Sequence, residues 1–246
     1  TGVKLIQTGE NLGYGGGNNV GIRYALEAGA RYVWVLNNDT EVPPESLTRM
    51  IDVMQTAPGI GILGLDAYDP QTSSPIPLAP VPGLKASRLP IQHPERVLPA
   101  GVEEAEYVHG SCLLLRRETI EDLGGFDLRF FHFWEDIDLC WRARQAGWEV
   151  AYLASCRIIH RSGTSTAGAS ALRMYYTLRN LLLFGAIAQG VSVPRFMLSV
   201  AGIRIWTPCV LGIRGFLRPT FKLAIFRALI DAAWGRFGKS HVYSPN

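Results

Sequence analysis

The residues of this chain best suited to chemistry are one acid behind an apolar run, three acids crowded into four positions, and a lone histidine further on. Asn37-Asn38-Asp39 closes the run Arg31-Tyr-Val-Trp-Val-Leu-Asn37. In open α/β sheets ligands collect beyond the carboxyl ends of strands, so an acid placed there faces the crevice. One carboxylate, completed by diphosphate oxygens and water, suits a hard divalent ion such as Mg²⁺ or Mn²⁺. Asn and Asp are equally common in turns, and Asp39 as a plain cap into the next helix is the competing reading. Glu135-Asp136-Ile137-Asp138 follows the aromatic run Phe130-Phe131-His132-Phe133-Trp134 and opens an amphipathic helix. A helix dipole favours acids in its first turn. One acid is enough for a cap, however, and carboxylates packed against an apolar wall acquire a raised pKa, which is how a general base is tuned. His160 follows Cys156-Arg-Ile-Ile159; a neutral imidazole there either completes a metal shell or is a satisfied surface residue.

The elements that must position these residues are written in the hydrophobic pattern. Residues 3–7 read as a short strand, followed by the glycine-rich loop Asn11-Leu-Gly-Tyr-Gly-Gly-Gly-Asn18-Asn19 and a helix from about Asn19 to Gly29. The loop either cradles phosphate or ribose through its backbone N–H groups or is only a tight turn, since it matches neither G-x-G-x-x-G nor the P-loop. The uninterrupted apolar run 31–37 reads as a strand covered on both faces. Pro43-Pro44 opens a helix with Leu47, Met50, Ile51 and Met54 on one face, and 60–65 is a further strand. This alternation predicts a doubly wound parallel sheet. From Asp66 through Pro99, eight of the fifteen prolines mark a long irregular loop. Beyond it the pattern predicts a strand over 106–116, helices over 117–123 and 136–146, strands over 148–153 and 156–159, and helices from about 170.

Charge is unevenly divided. Residues 151–246 hold twelve Lys and Arg against one acid, Asp231, a net +11, while residues 1–150 carry a net −8. Such a tail suits anionic lipid or an acidic substrate. Its arginines are spread through apolar runs and form no solvated cluster, which argues against nucleic acid. Arg195, Arg204 and Arg214 interrupt the most apolar stretch too often for a spanning helix. Helices lying on a membrane surface fit this pattern, as does a helical cap packed on the catalytic domain or on a second subunit of a homo-oligomer. No signal peptide opens the chain, and the four cysteines lack C-x-x-C spacing, so reduced thiols and a cytoplasmic location are expected.

The order of segments is distinctive. The glycine-rich run from Asn11, then Val-Leu-Asn-Asn-Asp-Thr40, His109-Gly110-Ser-Cys-Leu-Leu-Leu-Arg-Arg117, Gly124-Gly-Phe-Asp-Leu-Arg-Phe-Phe131, Trp134-Glu-Asp-Ile-Asp-Leu-Cys-Trp-Arg142 and His160 together resemble the inverting glycosyltransferase family 2. Within that family the chain looks most like bacterial rhamnosyltransferase-type members, and the resemblance spans about residues 3–180. It implies an α/β fold of GT-A type: a Rossmann-like, mixed and mostly parallel sheet flanked by helices. The catalytic domain would occupy 1–170, with a basic amphipathic helical region over 171–246 as an appendage. It also implies that Asp136 is the catalytic base with Glu135 in support, and that Asp39 and His160 hold Mg²⁺ or Mn²⁺. The nucleotide-sugar would be bound by Asn11, Asn18, Asn19, Asn38, Asp39 and Gly110. Asn37 stands where the family's D-x-D motif has its first acid. The family's opening strand and nucleobase loop precede the first residue here, so the chain reads as N-terminally truncated.

The implied reaction moves a sugar (rhamnose, a hexose or galactofuranose) from a nucleotide-diphosphate sugar to a cell-envelope glycan or polyprenyl-linked saccharide. The basic tail would bring the enzyme to the inner face of the cell membrane. Two other functions remain open on the residues: nucleotidyl transfer, which uses a similar scaffold and metal, and a non-catalytic scaffold subunit.

Overall fold

The computed structural model describes residues 2–69, 74–75, 98–160, 171–199, 202–203 and 219–241. The elements run α1 (Gly13–Glu27), β1 (Tyr32–Leu36), β2 (Thr40–Glu41), α2 (Ser46–Thr56), β3 (Ile60–Asp69), β4 (Ser74–Pro75), β5 (Val102–Glu104), β6 (Cys112–Arg116), α3 (Arg117–Leu123), α4 (Glu135–Gln145), β7 (Glu149–His160), α5 (Ala171–Ala188), α6 (Val193–Met197) and α7 (Pro219–Ala233).

One mixed sheet orders its strands β1-β6-β3-β7-β2, with β4 on β3 and β5 on β7. β6 is antiparallel to both β1 and β3, and β3 is parallel to β7. Strands β1, β3 and β7 therefore point one way, while β6 runs counter between β1 and β3. The expectation of a mostly parallel sheet needs this correction: among the described pairings only β3–β7 is parallel. An apolar run reports that both faces of a strand are covered, not which way its neighbours run. β6 shows the covering directly. Leu113 and Leu115 enter one core with Ile22, Ile120 and Leu139 of α1, α3 and α4. Cys112 and Leu114 enter the opposite core with Met50 and Met54 of α2.

Five local readings change. Residues 3–7 pair with no strand among the described residues, and Val3 and Leu5 are exposed. A strand pattern without a pairing neighbour gives no ladder. The glycine-rich run is not a loop, because α1 starts at Gly13. Only glycine fits there: φ is +75° and a Cβ would sit 2.1 Å from the Phe131 carbonyl oxygen. Of the expected strand 106–116 only 112–116 is strand, and the strands at 148–153 and 156–159 are one, β7, with a register irregularity where Leu65–Asp66 face Leu153 and Arg157. β3 also continues four residues into the proline-rich stretch, most of which (70–73 and 76–97) lies outside the described residues.

The C-terminal helices build a third core. Tyr175, Tyr176, Leu182 and Phe184 of α5 pack with Ala224, Ile225 and Ala228 of α7, and with Phe130 and Phe131 from the loop before α4.

Candidate active site

Helix α4 starts abruptly. Phe133 (φ 67°) and Trp134 (φ 77°) are both left-handed, so the chain turns sharply and delivers Glu135, Asp136 and Asp138 in one helical turn. The three acids then part. Asp136 accepts two backbone hydrogen bonds, from Gly110 N–H (2.9 Å, Oδ2) and Ile137 N–H (2.9 Å, Oδ1). Asp138 is fully buried and ion-paired to Arg142 (2.7 Å), which also donates to the carbonyls of Leu123 and Gly125. That acid fastens α4 to the end of α3. Glu135 is buried, and its Oε2 has no hydrogen-bond partner among the described residues. Burial, and then the negative charge of Asp136, holds its carboxyl well above the ordinary value. Two adjacent carboxyls thus differ: one is buried with its pKa pushed up, the other is held by N–H groups.

Around Asp136 lie residues that the sequence reading did not single out. The Tyr14 hydroxyl donates to the Gly110 carbonyl, and burial followed by the charges of Asp136 and Glu135 raises its pKa, so it stays a phenol. A Cβ on Gly110 would come within 3.3 Å of both Tyr14 Oη and Asp136 Oδ2. His132 is near enough for Asp136 to favour its charged form, but burial and Arg173 together lower its pKa. The signal for Tyr14 was its place within the glycine run; its partners are about a hundred residues away.

Asp39 and His160 come together through the sheet. Asn37 N–H bonds Ser111 O (3.0 Å), setting the Asn37–Thr40 turn against the segment that carries Gly110. Thr40 pairs with His160 in the antiparallel β2–β7 register, so Asp39 and His160 share one end of the sheet. Asn38 is exposed on that turn. Among the described residues no three His, Cys, Asp or Glu side chains converge as a complete metal cage. A hard divalent ion that takes part of its shell from ligand oxygens and water needs no such cage.

The three asparagines of the glycine run divide as well. Asn11 Oδ1 accepts from Gly13 N–H (2.9 Å) and Asn18 Nδ2 donates to Tyr14 O (3.0 Å), both at the start of α1. Asn19 is engaged in structure: its amide donates to Phe126 O (2.8 Å) and accepts from Phe126 N–H (2.9 Å), tying α1 to the Gly124-Gly125 turn. The run 13–19 forms the first turns of α1, where Gly13 N–H is taken by Asn11 Oδ1 and Tyr14 N–H by Phe131 O.

Residues 1–175 match the family described as Glycosyltransferase like family 2, and the chain belongs to that family. The mixed α/β sheet with flanking helices is accordingly of the GT-A class. Among its relatives, the N-acetylglucosaminyl-diphospho-decaprenol L-rhamnosyltransferase of Mycobacterium tuberculosis is 34% identical over 186 residues, covering 67% of this chain and 60% of that one. The low-salt glycan biosynthesis hexosyltransferase Agl10 of Haloferax volcanii is 27% identical over 219 residues, covering 82% of this chain and 66% of its own. A solved structure, the mannosyltransferase PcManGT from Pyrobaculum calidifontis in complex with GDP-Man and Mn²⁺, aligns with a TM-score of 0.47 at 12% identity, covering 87% of this chain and 66% of that one. The chain thus spans about 60% of the length of its rhamnosyltransferase relative.

Proposed function

We propose that the protein transfers a sugar from a nucleotide-diphosphate donor to a saccharide hydroxyl with inversion, and that Asp136 is the general base. The observation that carries this is the Asp136 carboxylate, held by Gly110 N–H beside the turn that bears Asp39. An acceptor oxygen attacks the anomeric carbon, the bond from that carbon to the diphosphate oxygen breaks, and the acceptor proton passes to Asp136. Two N–H donors orient the carboxylate without neutralising it. Burial raises the Glu135 pKa, which disfavours a second negative charge beside Asp136. Tyr14 fixes the Gly110 carbonyl, and through it the N–H that holds Asp136. Asp39 and His160 would hold Mg²⁺ or Mn²⁺, whose charge supplies Lewis-acid stabilisation of the departing diphosphate.

The names of the relatives support rhamnose or a hexose as the sugar and a lipid-linked saccharide as the acceptor. No helix among the described residues is long and apolar enough to cross a membrane. α7 offers another way to meet a lipid. Leu223 and Phe226 are exposed on it three residues apart, Trp234 is exposed just past its end, and Lys222, Arg227, Arg236 and Lys239 lie in the same stretch of chain. We assign this stripe to an anionic bilayer surface.

The test of the reaction is Asp136→Asn in the full-length protein, assayed for product by mass. The expected result is a loss of ~10²–10⁴-fold in transfer rate; an unchanged rate overturns the base assignment.

A further inference from the structure

Phe133 and Trp134 are the only non-glycine residues with positive φ among the described residues, and they are consecutive. L-residues rarely adopt this conformation, and two in a row persist only where the surroundings over-determine them. Trp134 packs on Phe184 (5.6 Å) and Arg173 lies over the Phe133 ring (5.6 Å), while one side chain holds the backbone of the turn itself. Asn180, fully buried on α5, donates both hydrogens of its amide to successive carbonyls, His132 O (2.9 Å) and Phe133 O (2.8 Å).

The amide is itself held in one orientation. Arg179 donates Nε and Nη2 to Asn180 Oδ1, each at 3.0 Å, so the oxygen faces Arg179 and the NH₂ faces the turn. Arg179 is 1% exposed and is fixed in turn. Its Nη1 donates to Gly238 O (2.9 Å), and its guanidinium lies over the rings of Tyr176 (4.8 Å), Tyr175 (5.3 Å) and Phe237 (5.7 Å). The Tyr175 hydroxyl accepts from Arg179 Nη1 (3.3 Å) and donates to the buried carboxylate of Asp231 on α7 (2.8 Å). Each link passes from the C-terminal helices toward the turn that begins α4.

We propose that Arg179 and Asn180 form a positioning clamp for the catalytic carboxyls: by holding Phe133 and Trp134 left-handed, the pair sets where Glu135 and Asp136 stand against Gly110. Neither residue touches the reacting atoms. Through the clamp the C-terminal region acts on the chemistry by positioning alone. It rests on the reading of Asp136 as base, and the experiment separates the two.

The variants are Asn180→Leu, near in size but without the amide, and the double variant Asn180→Leu with Phe133→Gly, in which glycine accepts positive φ without the clamp. In the full-length protein Asn180→Leu is expected to lower kcat by roughly 10–10²-fold, the scale of a small misplacement of catalytic groups, with donor KM nearly unchanged. Adding Phe133→Gly is expected to restore a large part of that loss. A folded Asn180→Leu enzyme with full kcat, or a loss that Phe133→Gly leaves untouched, overturns the clamp. If Asn180→Leu does not fold, Asn180→Asp, which removes the donors and keeps the acceptor for Arg179, carries the same comparison. Asp136→Asn run alongside tells the failures apart: full activity there removes the base assignment, whereas an inactive Asp136→Asn beside a fully active Asn180→Leu removes only the clamp.

Discussion

At the scale of single residues, three acids within four positions have three fates, decided by what each side chain meets. Asp136 meets backbone N–H groups, Asp138 meets Arg142, and Glu135 meets no donor on Oε2. The raised pKa of Glu135 has a consequence for stability. The folded protein binds this proton more tightly than the unfolded chain does, so the stabilisation is fully present below the ordinary glutamate value near 4.5 and is lost as pH rises through the folded value. Glu135→Gln keeps the shape without the titration. Thermal melts are expected to show the variant matching wild type near pH 4 and matching or exceeding it at pH 8. A variant that falls progressively behind wild type as pH rises would mean that Glu135 is a stabilising carboxylate instead.

At the scale of elements, α4 is the part on which the site depends, and Asp138–Arg142 ties it to α3. Asp138→Ala leaves the Arg142 cation without its carboxylate and is expected to cost about 3 kcal/mol, at the low end for a buried pair because Arg142 is partly exposed. Urea denaturation measures it; a loss below about 1 kcal/mol would place Asp138 among weak surface pairs. Much of this level was legible in the sequence. Helix 117–123 has its expected bounds and α4 lies within one residue of its own, because a glycine stop and a 3.6-residue period are local signals. The start of α1 was not legible. Four glycines within five residues suggest a loop, and what calls for glycine at Gly13 and Gly15 is the closeness of Phe131 and Phe126 from over a hundred residues away. For the same reason Tyr14 and Asn180 went unnoticed: their hydrogen bonds are to distant backbone carbonyls, which leave no trace in residue type.

At the scale of the whole molecule, the charge asymmetry and the helical core divide the labour. The N-terminal part presents the acids, and the basic C-terminal helices both support the turn before α4 and expose the apolar stripe of α7. Liposome flotation checks the second role. Binding is expected to vesicles containing anionic lipid and to fall sharply in Phe226→Ser with Trp234→Ser; equal recovery with purely zwitterionic vesicles, or no effect of the substitutions, would contradict it. The proposed reaction depends most directly on Asp136. The decisive measurement is the single-turnover rate of sugar transfer by full-length Asp136→Asn at saturating donor, with the melting temperature recorded beside it. The predicted result is a fall of ~10²–10⁴-fold in rate with the fold intact; a folded variant that transfers sugar at the wild-type rate would contradict the account.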